Sequence, residues 1–180
     1  MTKFGPIETE RLRLRRFEPG EADLVFKLLS DPAVMRYYPQ TYDRARAEAG
    51  LARMLQMYED VGYSLLVAER KEDGAFVGEI GLLHWDDVDG REDVEVAYLL
   101  RPEFWGKGYA TEAARACRDW AFENLGVDRV VSFVRPDNAP SIAVTRRNGM
   151  SFVHRADKNP IGFPIDVYAI ERAEWSATRG

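Results

Sequence analysis

The chain has 180 residues, 46% of them hydrophobic, a net charge of −5, one cysteine and two histidines. That is enough apolar material for one substantial core, read as a single domain over residues 1–180, and too few cysteines and histidines for a disulfide framework or a convincing zinc site. The N-terminus has no signal-peptide pattern, no stretch reaches the ~18 apolar residues of a membrane span, and the basic residues form no stripe. A cytoplasmic protein is expected, with no metal and with neither membrane nor nucleic acid as partner.

The elements follow in chain order. "RLRLRRF" alternates charge with leucine, as a half-buried strand does, and Leu24, Phe26, Leu28 and Leu29 then show helical spacing. After the loop "SDPAVMRYYPQTY", Ala45, Ala49, Ala52, Leu55 and Met57 place a second helix within Asp43 to Asp60. "YSLLVAER" and "FVGEIGLLHW" flank an Asp73-Gly74 turn as two strands, and "DVEVAYLL" forms a third beyond an acidic loop, Asp86 to Asp93. A helix from Gly108 to Leu125 carries Ala110, Ala113, Ala114, Cys117, Trp120 and Ala121 at i, i+3, i+4 spacing. "RVVSFV" is a buried strand. The next helix has Asp137 or Asn138 available as its cap and Gly149 past its end, and "SFVHRA" and "PIDVYAIER" close the chain as strands. The expected class is mixed α/β: a central, twisted, mostly antiparallel sheet of six or seven strands flanked by helices.

The pair Gly106 and Gly108 in "FWGKGYATEA" stands directly before a helix. The segment is neither a P-loop nor the complete dinucleotide fingerprint. Physically it is a strand end, a tight turn and a helix start whose free N–H groups and dipole suit a phosphate. An ordinary strand-to-helix turn fits the fragment equally.

The order "VEVAYLLRPEFWGKGYATEA" followed by "RVVSFVRPDNAPSIAVTRRNGMSFV" resembles the GNAT superfamily of acetyl-CoA-dependent N-acetyltransferases, in particular the subgroup that acetylates ribosomal-protein N-termini. "ETERLRLRRF" and "LLSDPAVMRYYP" also look like that subgroup's opening, so the resemblance spans nearly the whole chain. It implies that the segment Trp105, Gly106, Lys107, Gly108, Tyr109, Ala110, Thr111 seats the CoA pyrophosphate, with Trp105 departing from the usual Gln or Arg. It further implies that main-chain groups of Leu99 and Leu100 pair with the pantetheine arm, and that Asn138 hydrogen-bonds that arm from the other side. For Asn138 alone, a helix cap is the simpler role.

Amine acetylation needs a neutral amine, a donor for the developing oxyanion and a proton for the thiolate. By the resemblance, the oxyanion donor is the Leu99 N–H. Glu95 shares a strand face with Ala97 and Leu99 and is a candidate base, although a glutamate between valines also fits a solvent-facing position. Where many relatives carry a tyrosine acid this chain has Thr145, and Ser141 matches the serine of the ribosomal subgroup; a capping hydroxyl is its alternative. Cys117, among helix-core alanines, reads as packing.

The resemblance places the acceptor groove near "MRYYP" and the loop after Trp85, which makes Tyr37, Tyr38, His84 and Trp85 candidate substrate contacts. The acidic residues of Asp86 to Asp93 would attract a protonated amine, or are solvated surface. The expected reaction is transfer of acetyl from acetyl-CoA to a primary amine, foremost a protein N-terminal α-amine such as a ribosomal protein's. A small polyamine or aminoglycoside acceptor, or a silent acyl-CoA-binding module, is the alternative. The assembly is undetermined, with a homodimer as one option.

Overall fold

In the computed structural model, which describes residues 3–178, one eight-stranded sheet runs in the order β1-β2-β3-β4-β5-β6-β8-β7. Its strands are β1 (Ile7–Glu8), β2 (Leu12–Arg16), β3 (Leu65–Arg70), β4 (Phe76–Val88), β5 (Arg91–Leu100), β6 (Arg129–Val134), β7 (Ser151–Arg155) and β8 (Asp166–Glu171). Only β5 and β6 are parallel neighbours. The eighth strand beyond the expected six or seven is β1, two residues long and too short to show a period.

Five α-helices surround the sheet: α1 (Ala22–Leu29), α2 (Arg44–Asp60), α3 (Tyr109–Asn124), α4 (Ala139–Arg147) and α5 (Arg172–Ala177). Local chemistry sets their starts. Asp43 caps α2 by accepting the Arg46 N–H at 2.8 Å. Asn138 caps α4 by accepting the Ser141 N–H at 3.2 Å. Glu171 and Glu174 form the capping box of α5, a helix absent from the sequence reading because the strand pattern of "VYAIE" runs straight into it. In α3, the small side chains of Ala113, Ala114, Cys117 and Ala121 are fully buried, which lets the helix lie close against β4, β5 and β6. Burial pushes the Cys117 thiol far up, in keeping with its packing role.

The segment Asp86 to Asp93 is not a loop. It is the tip of one long hairpin, in which β4 runs to Val88, β5 begins at Arg91, and Asp89 (φ 53°) and Gly90 (φ 79°) make the two-residue turn. Its acids are partly committed to structure. Asp93 is buried and takes a two-pronged hydrogen bond from Arg129, 2.7 Å at Nε. Asp89 accepts from His154 Nε2 at 2.8 Å and from the Lys158 N–H at 2.7 Å. Asp86 and Glu92 stay exposed.

Candidate active site

The site forms where β5 and β6 separate. The Asp93–Arg129 pair closes one end of this parallel pair, and Glu95 opposite Val131 is its single register position. Beyond it, side chains take over from the ladder: Ser132 Oγ donates to Val96 O at 2.8 Å, and the Phe133 N–H donates to Glu95 Oε1 at 3.2 Å. From there β5 has an open edge. A groove of about 1310 Å³ follows it, from Trp85, Phe133 and Glu95 past Tyr98 to Gly106, Gly108 and Thr111.

Register decides which main-chain groups face that edge. Arg101 N donates to Val77 O at 2.9 Å, and β4 and β5 pair without a shift from Gly78↔Leu100 to Trp85↔Asp93. Alternation therefore turns the N–H and C=O of Glu95, Ala97 and Leu99 toward β4, and those of Val96, Tyr98 and Leu100 toward β6. The expectation for Leu99 is corrected accordingly: its N–H belongs to the β4 ladder, and the N–H facing the open edge is that of Tyr98. Leu100 does face the edge, with its C=O held by Trp105 Nε1 at 2.7 Å. Trp105, 48% exposed, thereby ties the loop to the strand end.

The glycine loop is held from behind. Gly106 (φ 70°) and Gly108 (φ 83°) both adopt left-handed conformations, costly for any residue with a Cβ. A Cβ on Gly106 would meet no protein atom within 4 Å, so the space beside it is open to a ligand. Arg11 donates to Lys107 O at 2.8 Å, and because a trans peptide points its C=O and N–H oppositely, the Gly108 N–H faces away from Arg11. Arg11 also pairs with Glu112 (2.7 Å), which accepts Thr9 Oγ1 at 2.6 Å. The Glu112 N–H donates to Gly108 O, so those of Tyr109, Ala110 and Thr111 are the free amides of a helix start. Tyr109 itself is buried with Arg11 stacked 4.5 Å from its ring, while Lys107 is exposed beside Phe104. Two glycines, converging amides and a free strand edge form a donor set that fits a pyrophosphate with an amide-bearing arm. Asn138 uses Oδ1 for its cap, which leaves Nδ2 as a donor.

Glu95 is 7% exposed. Burial pushes its carboxyl up to about 7, opposed by hydrogen bonds from Trp85 and Phe133. Trp85 Nε1 donates to Oε2 at 2.7 Å, so this tryptophan, a candidate substrate contact by its sequence position, positions the carboxylate. Tyr98 Oη lies 3.0 Å from Ser141 Oγ and 3.1 Å from Ser141 O, and burial pushes its phenol far up. Thr145 is buried and its hydroxyl is spent on Ile142 O at 2.8 Å.

Tyr37 and Tyr38 line the groove. Tyr38 is 41% exposed into it yet walled in by protein, and burial with the nearby carboxylates of Glu95 and Glu79 pushes its phenol far up. His84 does not join them. It sits one residue out of phase with Leu83 and Trp85, and its ring meets Tyr63 (3.2 Å) and Asp86 (2.9 Å) instead of the groove. The sequence reading passed over Tyr98, Arg11 and Glu79. Only Glu79 had a visible signal, a lone carboxylate within the apolar run "FVGEIGLL".

This wedge between parallel strands, with a glycine loop at the start of the following helix, is the architecture of an acyl-CoA-using transferase. Residues 11–151 match the family model described as the acetyltransferase (GNAT) domain, and the chain belongs to that family of acetyl-CoA-dependent N-acetyltransferases. It is 34% identical to an uncharacterized N-acetyltransferase, p20, of Bacillus licheniformis, over 90% of this chain and 92% of that one. An acetyltransferase from Agrobacterium tumefaciens superposes with a TM-score of 0.79 at 29% identity, covering 96% of this chain and 97% of that one. The spermidine N(1)-acetyltransferase of Escherichia coli is 26% identical over 78% of this chain and 73% of its own. Among the described residues, no group of His, Cys, Asp and Glu has the makings of a metal site, and no helix is long and apolar enough to cross a membrane.

Proposed function

We propose that the protein transfers an acetyl group from acetyl-CoA to a primary amine by direct attack within a ternary complex, with Glu95 as base and the Tyr98–Ser141 pair as proton source. The observation that carries this reading is Glu95 itself. Its buried carboxyl, poised at about 7, lies in the same groove as the glycine loop.

Acetyl-CoA supplies the activated acyl carbon as a thioester. The amides of Gly106 through Thr111 hold the pyrophosphate, the Tyr98 and Leu100 edge pairs with the pantetheine arm, and Asn138 Nδ2 donates to it. Glu95 takes a proton from the ammonium, directly or through water, so that a neutral amine attacks. The Tyr98 N–H donates to the acyl oxygen as negative charge develops there. As the C–N bond forms and the C–S bond breaks, the nitrogen gives up its second proton to water at the open groove, while Ser141 Oγ passes its proton to the sulfur and recovers one from Tyr98 Oη, 3.0 Å away, which water then reprotonates. Burial pushes the Tyr98 phenol far up, so it keeps its proton at neutral pH and gives it up only as Ser141 Oγ loses its own.

A protein N-terminal α-amine fits a groove open to solvent beside Tyr37 and Tyr38. A small polyamine is favoured by a separate observation, the carboxyl of Glu79. Thiol release from acetyl-CoA across a panel of N-terminal peptides, polyamines and simple monoamines tests the reading. Release that requires an amine supports it, and CoA binding without amine-dependent release from any member refutes it.

A further inference from the structure

Glu79 lies on β4 directly opposite Leu99 and is 4% exposed. Directly opposed residues share a face, so Glu79 projects from the same face of the sheet as Glu95, and both line the groove. The two carboxyls differ in one respect. Glu95 has two hydrogen-bond donors, whereas Glu79 has none among the described residues, and its Oε2 is buried without a partner. A buried carboxylate is ordinarily paired, because leaving water without a partner is expensive. The residues directly across from it on the neighbouring strands, Val67 and Leu99, offer no pair. Desolvation alone raises its carboxyl to about 7.

We propose that Glu79 is the seat of a second cationic group of the acceptor, so that the substrate is a linear amine with two or more ammonium groups. This rests on the acetyltransferase reading of the same groove. The partner that Glu79 lacks is then supplied by the distal ammonium, while the proximal amine lies at Glu95. Four strand residues of about 3.3 Å each and one inter-strand step of about 4.8 Å put the Cα atoms of Glu79 and Glu95 roughly 14 Å apart. That span sets the scale of the distance between the two nitrogens. It suits a chain of about five to ten bonds better than a two-carbon diamine. Tyr38 lines the same groove as both carboxylates.

The test is a chain-length series of α,ω-diamines and linear triamines, each matched by the monoamine of equal length, assayed with wild type, Glu79→Gln and Glu79→Asp. The expected result is that the diamine-to-monoamine ratio of kcat/KM falls at least tenfold in Glu79→Gln, mainly through KM. Glu79→Asp should partly retain the ratio and move the optimum to a longer chain. Calorimetric titration of the best diamine into the CoA complex of each protein gives a readout independent of turnover, with binding expected to weaken at least tenfold in Glu79→Gln. Equal ratios in the three proteins, or equal diamine affinity, overturn the role of Glu79. Failure of every amine to release thiol overturns the transferase reading instead, and the titration still decides Glu79.

Discussion

Replacing Glu95 with Gln probes the proposed base and the surroundings that tune it. In the wild type the carboxyl is raised from 4.5 to about 7 by burial. Half of it is ionised near neutrality, so kcat/KM should fall about tenfold per pH unit on the acid side. Gln has nearly the same volume but one acceptor oxygen for two donors, Trp85 Nε1 and the Phe133 N–H. One of those N–H groups then faces an amide NH2, at a cost of about 1–3 kcal/mol. Against this, the variant no longer buries an anion. A pKa higher in the folded state means that the folded protein binds the proton more tightly than the unfolded chain. Its stabilising contribution is full below about 4.5 and is lost as pH rises through about 7. Above that pH the ionised wild type carries a penalty of roughly 3 kcal/mol that Gln escapes. In urea unfolding, Glu95→Gln should therefore be less stable than wild type near pH 4, with the deficit cancelled or reversed near pH 9. In turnover it should lose about 10²–10⁴ in kcat, together with the acid limb of the pH profile. A variant that keeps the inflection near pH 7, or loses less than about threefold, removes Glu95 as the base.

Trp85→Phe removes one donor from the ionised carboxylate, so the inflection in kcat/KM should move upward by about one to two pH units; an unmoved inflection separates Trp85 from the proton transfer. Gly108→Val places a β-branched side chain at φ 83°, and calorimetry should find CoA binding weakened about tenfold or more with the circular dichroism of a folded protein. Wild-type affinity would break the link between the loop and the pyrophosphate. Tyr98→Phe and Ser141→Ala should each lower kcat by about tenfold or more, and the double variant by little beyond either alone, because the two hydroxyls act as one relay. Fully multiplicative losses would contradict the relay.

Local chemistry carried the legible part of the structure. Gly106 and Gly108 before an alanine-rich helix, Asn138 before another, and Glu95 within a strand each announce their surroundings within a few residues. Cross-strand register stayed hidden. Only the β4–β5 pairing reveals that His84 faces away from the groove, that Leu99 spends its N–H on β4 while Tyr98 keeps one for the open edge, and that Glu79 shares the face of Glu95. The acidic segment is a different case. Asp89-Gly90 carried a hairpin signal, and the density of charge around it masked the strands that continue to either side. Tyr98 reaches Ser141 across 43 positions of sequence, a pairing that no local pattern encodes.

Every role assigned to the groove depends on acetyl transfer to an amine held between the glycine loop and Glu95. It is tested most directly by incubating the wild type with carbon-13-labelled acetyl-CoA and a linear triamine and identifying the product by NMR. A labelled amide on a primary nitrogen is expected, formed at a rate that rises toward a plateau above about pH 7. Labelled free acetate as the sole product, or label retained on the protein, would contradict it.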